Sequence, residues 1–276
     1  MLNSLIDHFK SATKAMEILY VLEDVKPAAR LIVEEEKANA TIKFLEQNGL
    51  KTAKSNFKIQ TFTDENKHYS NKGIKIPENS QIKGQFFVYI SKKKELAEKA
   101  KSAEQDNNHK ELGNLLGYPD CCIEFFEKNF SEASTDLTLK TLENSSDFKF
   151  PFYTNIGARN MDLELINHFP CNFNCKSSIE IAKKNLEIIR KHSEEFSRIF
   201  EGMLKAAILY TKDKGIFMLR DLVLEKNKLT FSNIYGSSNN ILYTQLKTNN
   251  ELSIINKNHI RIGRTEFKSL GIMVFI

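Results

Sequence analysis

Four cysteines in two short motifs are the residues of this chain best suited to chemistry. Residues 116–122 read Leu-Gly-Tyr-Pro-Asp-Cys-Cys, and residues 168–178 read His-Phe-Pro-Cys-Asn-Phe-Asn-Cys-Lys-Ser-Ser. Each pair of cysteines follows a proline and precedes a run that favours a helix. Thiolates bind metals and attack electrophiles, so the motifs predict a metal or thiol site. The expected metal ligands are Cys121, Cys122, Cys171 and Cys175.

The starts of helices favour the thiolate form in this pattern. We expect Asp120 to cap the helix whose first turn holds Cys121 and Cys122, where free amides and the helix dipole stabilise an anion. Cys171 and Cys175 lie four positions apart, close enough to share one partner. Both pairs therefore stand where metal binding or nucleophilic attack is favoured.

Two cofactors fit four cysteines, zinc and an iron–sulfur cluster. Zinc takes four Cys or His ligands, often in pairs separated by a few residues, as Cys171 and Cys175 are. The adjacent Cys121 and Cys122 suit one small ion less well, because the side chains of neighbouring residues diverge. A cluster can bind neighbours at different irons, so the pattern favours it somewhat over zinc.

Three other residues are candidates for roles beside the cysteines. His168 can replace a metal ligand or carry a proton as a catalytic group. Glu124 can act as a general base near a metal-bound water. Ser178 is expected to be a cofactor-binding residue.

Several functions stay open at this point. The leading hypothesis is a cytoplasmic metalloprotein of unknown reaction. The alternatives are a non-catalytic structural-zinc module that binds RNA or protein, and a metal-free thiol enzyme with Cys121 or Cys122 as nucleophile and His168 as base. The cysteines could also be buried small side chains, or Cys121 and Cys122 could form a vicinal disulfide. Whether the protein is an enzyme is not decided.

The composition and charge of the chain indicate which binding partners and which cellular location to expect. The 276 residues are 41% hydrophobic and 27% charged, as in ordinary globular proteins, with a net charge of +5. Lysine greatly outnumbers arginine, and because specific recognition of nucleic acids depends on arginine, the composition supports nucleic-acid binding only weakly. The expected partner is therefore an unidentified substrate or protein. No apolar run approaches the roughly 20 residues of a membrane span, and the first residues do not form a secretory signal. We therefore expect no membrane association and a cytoplasmic location, where thiols are kept reduced.

The periodicity of the chain predicts an α+β protein in three parts. Residues 1–108 are predicted to form an N-terminal α/β module, and residues 109–210 a helical region that bears the cysteines and one long helix. Residues 211–276 are predicted to form a small antiparallel β module.

Within the first part, apolar spacing predicts helices over residues 2–22 and 27–48. Strands are expected at 57–62 and 86–90, with a polar loop over 63–83 between them. Further helices are expected at 92–108, 110–116 and 121–130.

The long helix is predicted over residues 178–209, with Ser177 and Glu180 as a capping box. After Gly215 the pattern changes to short alternating segments. Strands are expected at 216–219, 228–232, 241–245, 252–255, 260–262 and 272–275.

Two resemblances rest on the cysteine motifs. The segment Cys171-Asn172-Phe173-Asn174-Cys175 resembles the opening of the radical S-adenosylmethionine motif, which holds a cluster with three cysteines, but Ser178 stands at the third position. The two motifs together resemble an uncharacterised family of archaeal and bacterial proteins known as a domain of unknown function, over about residues 110–200. This second resemblance implies no established activity. It implies that the four cysteines, His168 and Ser178 belong to one site.

Overall fold

The computed structural model describes residues 1–62, 72–130, 136–268 and 270–276. Over these residues the chain has ten α-helices and three mostly antiparallel sheets, which confirms the α+β class. The described residues divide into two compact units, one made of residues 1–62, 72–130 and 184–194 and the other of the remainder. No helix in this described part is both long and apolar enough to span a bilayer.

The first unit is a four-stranded antiparallel sheet with helices. Its sheet has the order β1-β4-β2-β3. The strands are β1 (Ala29–Glu34), β2 (Lys51–Phe62), β3 (Lys72–Pro77) and β4 (Gln85–Ser91). The helices are α1 (Leu2–Phe9), α2 (Ala12–Leu22), α3 (Ala38–Gln47), α4 (Lys94–Gln105), α5 (His109–Leu115) and α6 (Asp120–Asn129).

Helix α4 packs on the sheet through a row of alanines. Its buried residues include Ala97, Ala100 and Ala103, which form one core cluster with Phe87 and Tyr89 of β4. Alanines at helical spacing let the helix lie close to the large aromatic side chains of the strand. The helices predicted at 92–108, 110–116 and 121–130 are thus present as α4, α5 and α6.

The N-terminal predictions need three corrections. The helix predicted over 2–22 is two helices, because Lys10 has a left-handed backbone and Ser11 caps α2 by accepting from the Lys14 amide at 3.2 Å. The helix predicted over 27–48 is wrong at its start, where β1 pairs along β4 and buries every second residue. Part of the predicted loop 63–83 is strand β3, and residues 63–71 lie outside the described part.

A buried lysine fixes the region where β2 departs from regular pairing with β4. Lys58 has a side chain that is only 1% exposed. Its Nζ donates to both carboxylate oxygens of Glu35, at 3.0 and 2.9 Å, and to the carbonyl of Ser80 at 2.7 Å. These acceptors satisfy the whole ammonium group, which offsets the cost of removing its charge from water.

The second unit contains two five-stranded sheets, with the orders β10-β7-β6-β14-β5 and β13-β12-β11-β9-β8. The strands of the first are β5 (Lys149–Phe150), β6 (Ala207–Thr211), β7 (Ile216–Arg220), β10 (Asn233–Gly236) and β14 (Leu270–Phe275). Those of the second are β8 (Val223–Glu225), β9 (Lys228–Thr230), β11 (Glu251–Asn256), β12 (His259–Ile262) and β13 (Thr265–Lys268). Helices α7 (Leu137–Glu143), α9 (Glu194–Leu204) and α10 (Ile241–Asn249) belong to this unit, and α8 (Lys176–His192) is divided between the two.

Both sheets of the second unit share one hydrophobic core. Leu209 and Phe217 come from the first sheet, Leu229 and Ile260 from the second, and Leu242 from α10, and each is fully buried. The antiparallel β structure predicted for the end of the chain is therefore present, although it contains more strands than the sequence indicated.

Two predictions in this region are wrong. The helix predicted over 178–209 is interrupted at Ser193 and ends at Leu204, and β6 follows it. Because α8 already begins at Lys176, Ser177 lies inside the helix and cannot cap it. The strand predicted at 241–245 is helix α10. Asn240 caps this helix, because its side-chain oxygen accepts from the backbone amides of Leu242 and Tyr243.

Candidate metal centre

The first cysteine motif is a tight connection between α5 and α6. Gly117 has a left-handed φ of 72°, and the amide of Tyr118 donates to the carbonyl of Gly113 at 2.9 Å. This is the Schellman pattern that ends a helix, and it requires a residue without a Cβ penalty at Gly117. The ring of Tyr118 lies under Lys26, whose Nζ is 5.4 Å from the ring centroid. The chain then turns at Pro119 into α6.

The start of α6 differs by one residue from the prediction. Pro119 is the capping residue, and its carbonyl accepts from the amides of Cys122 and Ile123 at 2.9 and 3.0 Å. Asp120 is the first residue of the helix and so does not cap it by its side chain. Cys121 and Cys122 nevertheless lie in the first turn, as expected.

The second cysteine motif is a loop whose backbone is held by buried hydroxyl groups. The hydroxyl of Thr141 donates to the carbonyl of Pro170 at 2.9 Å, and that of Thr154 donates to the carbonyl of Phe173 at 2.7 Å. The Ser145 hydroxyl accepts from the Phe173 amide at 2.9 Å. These three residues are among the buried polar side chains. Hydrogen bonds with Thr141, Thr154 and Ser145 therefore hold the backbone of this loop.

Hydrogen bonds also fix the two cysteines of this loop. The side-chain amide of Asn144 donates to the Cys171 carbonyl at 2.6 Å. The amide of Cys175 donates to the Asn172 carbonyl at 3.1 Å, and the Cys175 carbonyl accepts from the amide of Ile179 at 3.0 Å. Cys175 thus immediately precedes α8, and the second pair ends at a helix start as predicted.

The four cysteine sulfurs form one compact group. The Sγ atoms of Cys121, Cys122, Cys171 and Cys175 all lie within 4.8 Å of one another, close enough to bind a metal. Those of the adjacent Cys121 and Cys122 are 3.9 Å apart. The expectation that neighbouring side chains would diverge is therefore wrong here, since both sulfurs join the group from a regular helical turn.

The four sulfurs differ in their surroundings. Cys122 is 2% exposed and Cys175 is 6% exposed, whereas Cys171 is half-buried and Cys121 is exposed. In the part of the chain that the structure describes, no disulfide joins any two of them. The side-chain amide of Asn172 donates to the Sγ of Cys171 at 3.6 Å.

The other predicted site residues do not join the group of possible ligands. His168 and Ser178 are both buried, and the His168 Nε2 lies 2.8 Å from the Ser178 Oγ. Glu124 is exposed on α6. Among the described residues, the group that could hold a metal ion contains neither His168 nor Glu124. Catalytic roles for these two, and a cofactor-binding role for Ser178, stay predictions.

Sequence reasoning missed the residues that support the second motif. Asn172 follows Cys171 directly, and a short amide side chain beside a cysteine is a local signal that could have been found. Thr141, Asn144 and Ser145 lie more than 20 positions before the loop, and they form one face of α7 and its end. Only the fold brings them to the loop.

Comparison with known proteins gave a match to a family model over the part of the chain that contains the four cysteines. Residues 93–206 match the model of a family described as a protein of unknown function, DUF483. The predicted resemblance to an uncharacterised family is confirmed. The matched stretch runs from the residue before α4 to the residue before β6 and includes all four cysteines. Comparisons with curated proteins and with solved structures gave no match.

Proposed function

We propose that the protein is a metalloprotein in which Cys121, Cys122, Cys171 and Cys175 bind one tetrahedral metal ion, and that this ion is zinc. The observation that carries the proposal is the separation of the four sulfurs, none more than 4.8 Å from another. A group of four thiols with no competing carboxylate is the ligand set of structural zinc sites.

The distances support a single ion. With zinc–sulfur bonds of about 2.3 Å, the sulfurs of a tetrahedral site stand about 3.8 Å apart. The Cys121 and Cys122 sulfurs, 3.9 Å apart, already have that separation. Closing the widest pair from 4.8 Å requires a shift of about 1 Å, which side-chain rotation can supply.

An iron–sulfur cluster fits the same distances less well. In a cluster the cysteines bind different irons, so their sulfurs surround a larger object than one ion. The compact arrangement therefore favours zinc over the cluster that the sequence spacing favoured.

The proposed centre is of the closed kind. Four protein ligands fill a tetrahedral ion and leave no position for water or substrate, which is the arrangement of a structural site. Reduced cysteines that bind metal suit the reducing conditions of the cytoplasm, and we propose this location.

The experiment that tests the proposal is metal analysis of the full chain, purified without oxygen from cells supplied with both zinc and iron. We expect about one zinc per chain and no visible absorption, and cobalt in place of zinc should give the intense colour of thiolate coordination. Cys122→Ser and Cys175→Ser, which each remove a buried sulfur, should lose most of the metal. The matched control is Ser177→Ala, an exposed position beside Cys175.

Three outcomes would contradict the proposal. Iron together with acid-labile sulfide would indicate a cluster. Metal that survives the loss of either buried cysteine would lie elsewhere. A chain that contains no metal, and that binds none when zinc is added to the reduced protein, would leave the thiols without this role.

A further inference from the structure

The four cysteines of the proposed centre differ in exposure. Cys122 and Cys175 are buried and Cys171 is half-buried, while Cys121 is exposed at the start of α6. Attack on a carbon electrophile requires the reagent to approach the sulfur along the line of the breaking bond. Only an accessible sulfur permits this approach, so exposure decides which ligand can react.

The sulfur of Cys171 also accepts a hydrogen bond. The amide of Asn172 donates to the Cys171 sulfur, and such a bond withdraws electron density from the sulfur it contacts. Cys171 is thus less exposed than Cys121, and this hydrogen bond lowers the nucleophilicity of its sulfur.

We propose that Cys121 is the reactive sulfur of the centre and accepts an alkyl group from small, soft carbon electrophiles. The inference rests on the proposed metal site, because the bound ion replaces the thiol proton and keeps Cys121 as a thiolate. The Cys121 thiolate attacks the electrophilic carbon, a sulfur–carbon bond forms, and the bond to the leaving group breaks. The leaving group departs with the electron pair, and no oxidant or reductant is consumed.

Alkylation changes the character of the site. A thiolate becomes an uncharged thioether, which is a weaker ligand, so the charge of the centre rises by one. Three thiolates still hold the ion, and the fourth position becomes open to water. The closed site is thereby converted to the open kind.

The test is competitive labelling of the metal-loaded protein with less than one equivalent of iodoacetamide, followed by peptide mass spectrometry. In this reaction a sulfur–carbon bond forms and iodide leaves. We expect Cys121 to be labelled at least ~10-fold faster than any other cysteine, because the rate follows thiolate character and exposure. The same reagent added in denaturant should label all four at similar rates. Cys121→Ser should abolish the fast phase, and Asn174→Ala, an exposed position in the other motif, should leave it unchanged.

Metal analysis of the same samples separates the two proposals. One zinc per chain with first labelling at Cys122, Cys171 or Cys175, or with equal labelling of all four, would overturn this inference and leave the metal site intact. A chain without metal would overturn the proposed function and this inference with it. Zinc that remains bound after Cys121 is labelled supports the three-thiolate product.

Discussion

At the scale of single residues, Asn172 links the backbone and the sulfurs of the second motif. Its side-chain amide donates to the Cys171 sulfur, and its Oδ1 accepts from the Asn174 amide at 2.9 Å. Its own carbonyl accepts from the Cys175 amide. One residue therefore both shapes the turn between two cysteines and donates a hydrogen bond to the sulfur of one of them.

We expect Asn172→Ala to weaken zinc binding by about 10-fold, since partners of metal ligands typically contribute that much or more to affinity. Competition with a chromophoric chelator measures the change. Asn174→Ala is the matched control, because it removes an exposed side chain of the same type two positions away. Equal affinities for the two variants would show that the contact with Cys171 is without effect.

Glu23 gives the fold a dependence on pH. Its carboxylate lies 2.6 Å from Lys191 Nζ and 2.7 Å from His192 Nε2. The hydrogen bond from Lys191, followed by that from His192, lowers the pKa of Glu23. A carboxyl whose pKa is lower in the folded state stabilises the fold above its unfolded pKa, and this contribution disappears as pH falls through the folded value.

Glu23→Gln should therefore lower the free energy of unfolding near neutral pH by roughly 1 kcal/mol. The difference from the wild type should shrink as the pH falls through the folded pKa of Glu23. Urea denaturation of both proteins at several acidic and neutral pH values measures it. Glu98→Gln, an exposed change on α4, should show no such difference at any pH. A constant difference between Glu23→Gln and the wild type would refute the assignment.

At the scale of elements, α5 and α6 approach closely where α5 has a glycine. A Cβ at Gly113 would lie 2.7 Å from Cγ1 and 2.8 Å from Cδ1 of Ile123. Ile123 is only 4% exposed, so it has little room to move away. The approach helps to define the position of α6, whose first turn carries two of the cysteines.

Gly113→Ala should destabilise the protein by about 1 kcal/mol, because overpacking outweighs the gain in helix propensity. Gly202 in α9 is the matched control, since a Cβ there meets no atom within 4 Å among the described residues. Gly202→Ala should be neutral or stabilise by up to about 1 kcal/mol. Thermal or chemical denaturation measures both, and two changes of the same sign would contradict the close contact.

At the scale of the whole molecule, the structure bears out several features that were read from local sequence. The end of α5 is encoded by Gly117 and the start of α6 by Pro119, and both signals act within a few residues. The α+β class and the presence of thiols at two helix starts followed from such signals.

Two of the errors have a different cause, which is pairing between distant parts of the chain. Residues Ala29–Glu34 become a strand because β4, more than 50 positions later, accepts them as a partner. In the same way β6 lies between β7 and β14. Apolar residues that lie close together in sequence fit both a helix and a buried strand, and only the partner decides between them.

The site could be predicted only in part, because its geometry also depends on distant parts of the chain. The cysteines were visible as ligand candidates, but their exposures and the 3.9 Å between the Cys121 and Cys122 sulfurs depend on the packing around them. The hydroxyls of Thr141 and Thr154 lie outside the second motif and donate to its backbone carbonyls, and no local sequence pattern predicts these contacts.

The burial of Lys58 has a consequence for the acylation of the protein. An activated ester reacts with an amine only through a nitrogen lone pair, and the Lys58 ammonium is enclosed and donates to Glu35 and Ser80. Lys58 must leave these acceptors before it can react, so it should be among the last lysines acylated in the native protein. Acylation of Lys58 would then require the opening of β2, and the rate of this acylation would report how often the first unit unfolds there.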